Sequence, residues 1–343
     1  MWKWVAAAVV AGALVVWLLG ARSPLRGFDW NLAAAALARP RWPWLLLSVA
    51  VAAATFYGRA LRWAVFLKPL KPRPSIRNLL SATVIGFAAI TLFGRPGELV
   101  RPYLIAVKER VPVSSQFAAL LLERIFDLLM ALLIFGFALT RVRASGAPVG
   151  PRLAGVLAAG GRLAVVASVV LLAVLVSLRH FAEPLRRSLV AGLRLLPQTH
   201  FLRFEKLVST FVQGVESTRS DGALLLILIY SVLEWALIAA CWGCLIRSFS
   251  GTASLTFVDI IVLLGFVSFG TVVQLPGIGG GMQVVTIVVL TELFAVKLEV
   301  ATAFAMLVWL VTFVEIVPVG LGLALKEGLD WRSLRHIGRE TTA

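Results

Sequence analysis

Acidic residues are scarce in this 343-residue chain: 17 Asp and Glu stand against 33 Lys and Arg, and charged residues of both signs make up only 15% of it. With 60% hydrophobic residues and a mean hydropathy of +0.93, it has too little polar surface to cover a soluble globule of this size. Cysteine is nearly absent: Cys241 and Cys244 are the two, inside one apolar run, which excludes a disulfide scaffold. Their Cys-x-x-Cys spacing fits either a redox or metal pair or two small buried helix residues. Neither a second pair nor an intramembrane His accompanies them, which favours the second reading. The three histidines, His180, His200 and His336, fall in polar connections, so metal-site spacing is lacking. A nucleotide-binding P-loop and a Gly-x-Ser-x-Gly elbow are also missing, and no His accompanies the intramembrane acids. The expectation is a protein that is not an enzyme and uses no cofactor or metal.

What is present is long apolar sequence, and the chain reads as an all-α, polytopic integral membrane protein. A net charge of +16 in such a chain reports cytoplasmic loops and anionic lipid head groups rather than nucleic acid. The first run, Val5 to Leu19, resembles a signal peptide in length but carries Trp2, Trp4 and Trp17 at its ends like interfacial anchors, so it is expected to stay as a first span. Further spans are expected at about Trp44–Leu67, Phe117–Leu139, Leu163–Leu178, Leu224–Ile246 and Ala301–Leu325, six in all. Residues 179–221 form a basic, amphipathic connection expected to lie on the inner leaflet, or alternatively to dock a partner enzyme. Lys68, Lys71, Arg73 and Arg77 place their loop in the cytoplasm, and Lys326, Arg332, Arg335 and Arg339 place the C terminus there. The N terminus is expected inside as well.

Two stretches interrupt this pattern. Leu92 to Tyr103 carries Gly94-Arg95-Pro96-Gly97-Glu98 and Arg101-Pro102 among strongly apolar neighbours, and Gln274 to Gln283 carries Pro276-Gly277 and Gly279-Gly280-Gly281. Paired breaks in two halves mark a transporter built as a repeat, with its site where the broken helices meet. With a first limb of about 15 residues from Leu79 to Phe93 and a shorter return, each break is expected to form a re-entrant hairpin rather than a span. Units 44–140 and 222–325 would then form an inverted repeat.

The breaks also carry the chemistry. Half-helices starting after Pro96 and after Pro276 would aim free amides at the centre, and Gly277, Gly279, Gly280 and Gly281 would let a ligand approach closely. Arg95 and Arg101 offer fork-shaped donors for phosphate oxygens, with Glu98 three residues from each to orient both. The structural alternative is an Arg-Glu-Arg cluster that only fixes the tip. Glu123, Arg124 and Asp127 lie in the third span, where Glu123 and Asp127 share a helical face. Arg59 and Arg62 in the second span either snorkel to the interface or face a polar interior. Glu123, Asp127, Glu234 and Glu315 are weaker candidates than the residues of the breaks, since any one could simply pair with Arg59, Arg62 or Arg124.

Arg-Pro-Gly-Glu-Leu-x-Arg-Pro at 95–102, Glu-Arg-Ile-Phe-Asp at 123–127 and Pro-Gly-Ile-Gly-Gly-Gly-Met-Gln at 276–283 resemble the lysylphosphatidylglycerol synthase transmembrane family of flippase-like integral membrane proteins. The resemblance runs over nearly the whole chain and implies a cell inner-membrane protein that moves a polar lipid between leaflets. Glu98, Arg101, Glu123, Arg124 and Asp127 match the family pattern. Gln283 stands where many members have Glu, and an Arg often found in the last span is replaced near Trp309. Some members carry a soluble aminoacyl-transfer domain, which a chain ending at Ala343 is expected to lack. Three functions follow as expectations: translocation of a phosphate-bearing lipid, presentation of lipid to a separate synthase or glycosyltransferase, or carriage of a small soluble anion.

Overall fold

The computed structural model describes residues 28–38, 40–144 and 220–328 apart from 272–273 and 276–278, with isolated helical positions between 161 and 205. A short helix α1 (Trp30–Ala38) begins at Asp29, whose Oδ1 accepts from the N–H groups of Asn31 (2.9 Å) and Leu32 (3.1 Å). Helix α2 (Trp42–Leu67) follows, with Pro43 in the first turn where a missing N–H leaves no gap.

Helix α3 (Ile76–Phe93) starts one turn earlier than hydropathy alone predicts. The Ser75 hydroxyl accepts from the Asn78 N–H (3.4 Å), so the polar residues Arg77 and Asn78 belong to the helix. Its 18 residues reach about 27 Å. The first limb is therefore longer than the roughly 15 residues expected. The chain turns at Gly94, at φ 70°, through a 3-10 turn (Arg95–Leu99) into α4 (Val100–Glu109). Helix resumes at Val100, earlier than the expected break up to Pro102, because a proline in the first turn needs no N–H. Helix α4 folds back antiparallel to α3: Gly86 lies against Arg101, and the Asn78 side-chain amide donates to Glu109 Oε1 (2.7 Å). The turn demands glycine at 97, where a Cβ would sit 2.3 Å from the Ala89 carbonyl oxygen.

Helix α5 (Val113–Ala144), 32 residues long, closes the first half. The described positions of the expected fourth span are helical, and Ala164 packs on Leu132 and Phe135 of α5. The expected first span Val5–Leu19, half of the fourth and nearly all of 179–219 lie outside the described residues.

The second half repeats the order. Helix α6 (Asp221–Ser248) is capped by Ser220, and α7 (Phe257–Gly270) by a capping box in which Thr256 Oγ1 accepts from the Asp259 N–H (3.3 Å) and Asp259 Oδ2 from the Thr256 N–H (2.8 Å). Two short strands, β1 (Gln274–Leu275) and β2 (Gly279–Gly280), pair antiparallel at the break before α8 (Gly281–Glu292) returns. That helix begins at Gly281, not after Pro276 as expected. Helix α9 (Leu298–Trp309), a π turn (Leu310–Val314) and α10 (Ile316–Lys326) run as one 29-residue unit. Pro318 accounts for the π turn: it cannot donate to Val314, and its ring pushes that carbonyl away.

Four of these helical units are long and apolar enough to cross a membrane: α2, α3, α6 and α9–α10. The protein is helical and membrane-spanning, with two apolar cores. One gathers Trp63, Phe66, Leu79, Ile105, Leu122 and Phe126, and the other Trp242, Phe249, Leu263, Leu290, Phe304 and Val308. Helices α2 and α6 lie antiparallel between them, joined by the Arg41 N–H to the Ser248 carbonyl (2.9 Å) at one end and Arg62 to Ser231 (3.0 Å) further along. The first limb of each hairpin packs on the last helix of the other half: Val84 and Ala88 of α3 against Gly320 of α10, and Gly265 of α7 against Ile134, Phe135 and Ala138 of α5. The corresponding helices α2 and α6 thus run in opposite directions.

Candidate functional site between the broken helices

The two breaks meet. From the first turn, Arg95 Nη2 donates to the Thr271 carbonyl at the end of α7 (3.3 Å), while Nη1 pairs with Glu98 Oε1 (2.9 Å). The Arg95 side chain is 48% exposed, so it sits at the open face of the contact.

Behind this tip lies a buried network built from four helices. Arg101 of α4 makes a two-pronged contact with Glu123 of α5, Nη1 donating to Oε1 (2.9 Å) and Oε2 (3.0 Å), and its Nη2 donates to the Arg59 carbonyl of α2 (3.3 Å). Arg62 of α2 reaches Asp127 (2.8 Å), Ser231 (3.0 Å), Glu234 (3.2 Å) and Glu123 (3.3 Å). Arg59 pairs with Glu234 of α6 (2.6 Å) and approaches Glu123 (3.6 Å), and Arg124 lies 3.4 Å from Glu123. Trp63 covers the Arg101 guanidinium at 4.2 Å and Phe87 covers that of Arg59 at 4.7 Å, aromatic contacts that gain strength when desolvated. Trp63 is itself fixed by its indole N–H donating to Gln116 Oε1 (2.9 Å).

Four guanidinium groups thus face three carboxylates, leaving one positive charge in excess. The Nε atoms of Arg62, Arg101 and Arg124 are buried without a hydrogen-bond partner among the described residues. A buried charge persists only when paired and hydrogen-bonded, so the excess and the spare donors make this a site suited to an anion. Arg124 (side chain 39% exposed) and Asp127 (15%) form its accessible edge.

The sequence candidates divide accordingly. Glu98 holds Arg95, but it does not hold both arginines as expected; Arg101 is drawn instead to Glu123, because α4 folds back onto α3 and turns that side chain toward α5. Glu123, Arg124 and Asp127 share the network. The second break differs from the row of free amides that was expected. Gly279 and Gly280 pair with Leu275 and Gln274, the Gly280 N–H donates to Gln283 Oε1 (2.7 Å), and Gly281 opens α8. Gly277 lies outside the described residues.

Ser231 and Trp63 are site residues that the sequence candidates left out, while Arg59, Arg62 and Glu234, named there only as alternatives or weaker candidates, join the network. The signal for them was the charge on α2, which is too deep to snorkel: Arg62 is fully buried. Cys241 and Cys244 are free and buried, the Cys241 thiol donating to the Ser48 carbonyl (3.5 Å), as two packed helix residues would. Among the described residues no group of three or more His, Cys, Asp or Glu could hold a metal ion.

Comparison with known proteins adds two kinds of likeness. The chain is 33% identical over 89 residues to the glycosyltransferase AglD of Haloferax volcanii, a match covering 26% of this chain and 14% of that protein. The chain therefore spans only about a seventh of the curated relative it matches. No solved structure matches it. Residues 4–321 match the model of the lysylphosphatidylglycerol synthase TM region, so the chain belongs to that family of membrane proteins.

Proposed function

We propose that this protein translocates a phosphate-bearing phospho- or glycolipid between the leaflets of the cytoplasmic membrane, with both hairpins re-entrant and the two halves related as an inverted repeat. The observation that carries this reading is the contact of the two breaks through Arg95 and Thr271, backed by a buried network with one excess positive charge. Arg95 meets the head group first. Arg124 and the spare donors of Arg62 and Arg101 stabilise the phosphate as it passes, and the acyl chains remain in the bilayer.

Charge supports the orientation. Lys71 with Glu109 (2.7 Å) and Lys108 with Glu327 (2.6 Å) bring the basic loop, the end of α4 and the end of α10 to one end of the molecule. By the positive-inside rule that end is cytoplasmic. The test is leaflet exchange of fluorescent phospholipids and polyprenyl-phosphate lipids in vesicles holding the purified protein. Exchange should fall in Arg95→Ala and recover in part in Arg95→Lys. Equal rates in all three, with folded protein, would sink the reading.

The local likeness to a glycosyltransferase favours a second reading, a membrane partner that presents lipid to a separate enzyme. In that case the purified protein would exchange no lipid but would accelerate the enzyme.

A further inference from the structure

Glu315 is set apart from the other acids of the spanning helices. It stands in the middle of the 29-residue α9–α10 unit, directly after the π turn, and its N–H closes that turn on the Leu310 carbonyl (3.0 Å). Its Oε2 is buried without a hydrogen-bond partner among the described residues. The π turn touches the first hairpin: the Thr91 hydroxyl, three residues before Gly94, is shared between the Phe87 carbonyl of its own helix (3.1 Å) and the Phe313 carbonyl (3.2 Å). The next residue, Ile316, packs with Phe56 and Val84, so the carboxyl sits where the last helix meets α2 and α3, near the tip that bears Arg95.

Among the described residues, the charged and titratable groups around it leave its Oε2 without a counter-ion. On α6, the Cys241 thiol is near enough to interact with it, Glu234 is held by Arg59 and Arg62, and Cys244 and Arg247 lie further along toward the helix end. On α2, Arg59 and Arg62 are committed to Glu123, Asp127 and Glu234, and Tyr57 is half exposed. The charged residues Arg77 of α3, Glu299 of α9 and Lys326 of α10 lie in the terminal turns of those helices. An ionised carboxylate in a spanning helix, with one oxygen buried and no cation or donor for it among the described residues, is strongly disfavoured, and such a residue marks a functional site.

We propose that Glu315 is a proton-binding site that couples proton uptake to head-group movement, an inference that rests on the translocation reading. The carboxylate takes a proton from water that reaches the site and returns it to water on the other side; no other bond changes. The π turn is the pliable element through which the change is felt, because closing or opening it moves the Thr91 contact and with it the first tip.

The test has two arms. Infrared difference spectra of the purified protein in lipid, between alkaline and acid buffer, should contain a carboxyl C=O band that is lost in Glu315→Gln and displaced in Glu315→Asp. In vesicles with a fluorescent phosphate-bearing lipid, an imposed pH gradient should skew the leaflet distribution for the wild type and lose that effect in Glu315→Gln, which keeps the side-chain volume. Exchange that ignores the gradient in the wild type, or spectra without the band, would overturn the coupling while leaving translocation standing. The band without exchange in any vesicle would overturn translocation and coupling together and leave only the proton site.

Discussion

Replacing Glu123 with Gln removes the carboxylate that four arginines share while keeping its shape. In the folded protein Arg101, Arg62, Arg124 and Arg59 lie 2.9, 3.3, 3.4 and 3.6 Å from its Oε1. The substitution raises the uncompensated positive charge of a network in which Arg62 and Arg101 are fully buried. Removing one partner of a buried pair costs roughly 3–5 kcal/mol, and the sharing among four cations puts Glu123→Gln at the upper part of that range. Arg101→Met should cost less, because Glu123 keeps three arginines and the excess positive charge is gone, although the contact with Trp63 is given up. The double variant should be more stable than the sum of the two by about 1–3 kcal/mol, because the guanidinium that Glu123→Gln strands is then absent. By contrast Arg95→Ala, which breaks an exposed pair with Glu98, should cost at most about 1 kcal/mol. The assay is reversible unfolding in mixed micelles, read by tryptophan fluorescence. Additive losses for Glu123→Gln and Arg101→Met would refute the shared-carboxylate account.

Gly97→Ala should destabilise by about 3 kcal/mol or more, because its Cβ would meet the backbone of Ala89, whereas Gly136→Ala has open space and should stabilise α5 by roughly 0.5–1 kcal/mol; unfolding midpoints of the two variants check this. Thr91→Val should remove the hydroxyl shared by the Phe87 and Phe313 carbonyls and cost about 0.5–1.5 kcal/mol, measurable in the same way. Glu109 lies at the end of α4 beside the basic loop. Burial alone would push its carboxyl up, but the Lys71 ammonium, the Asn78 amide and the Ser75 N–H together hold it below the usual carboxylate range. Its stabilising contribution is therefore present above the unfolded carboxyl value near 4.3 and is lost as pH falls below it. Glu109→Gln should be less stable than the wild type at neutral pH, and the gap should close in acid; a constant gap across a pH series would contradict the assignment.

Much of the fold was legible because hydropathy needs no partner. The α2, α6 and α9–α10 units stand within a few residues of the apolar runs, and Gly94 and Gly97 mark a turn that only glycine permits. The start of α3 was hidden, because Ser75 caps a first turn holding the polar Arg77 and Asn78, which hydropathy reads as loop. The second break was misjudged for a related reason: Gly and Pro announce a break without saying whether the chain forms a half-helix or pairs with itself, and here Gln274 and Leu275 supply strand partners. The first candidate pair, Arg95 and Glu98, could be read from local spacing. The partnership of Arg101 with Glu123 could not, since it depends on α4 folding back onto α3, and that of Arg59 and Arg62 with Glu234 was one possibility among several until α2 was seen to lie along α6.

The central claim is that the head group passes at the contact of Arg95 with Thr271 at the end of α7, so that the two must part for exchange to occur. Its most direct test joins them: cysteines placed at Arg95 and Thr271, in a background with Cys241→Ala and Cys244→Ala, are bridged by a reducible bifunctional thiol reagent in the purified protein, and leaflet exchange is followed in vesicles before and after reduction. The account predicts that bridging stops exchange of phosphate-bearing lipids and that reduction restores it. Exchange that continues at the same rate with the breaks joined would contradict it.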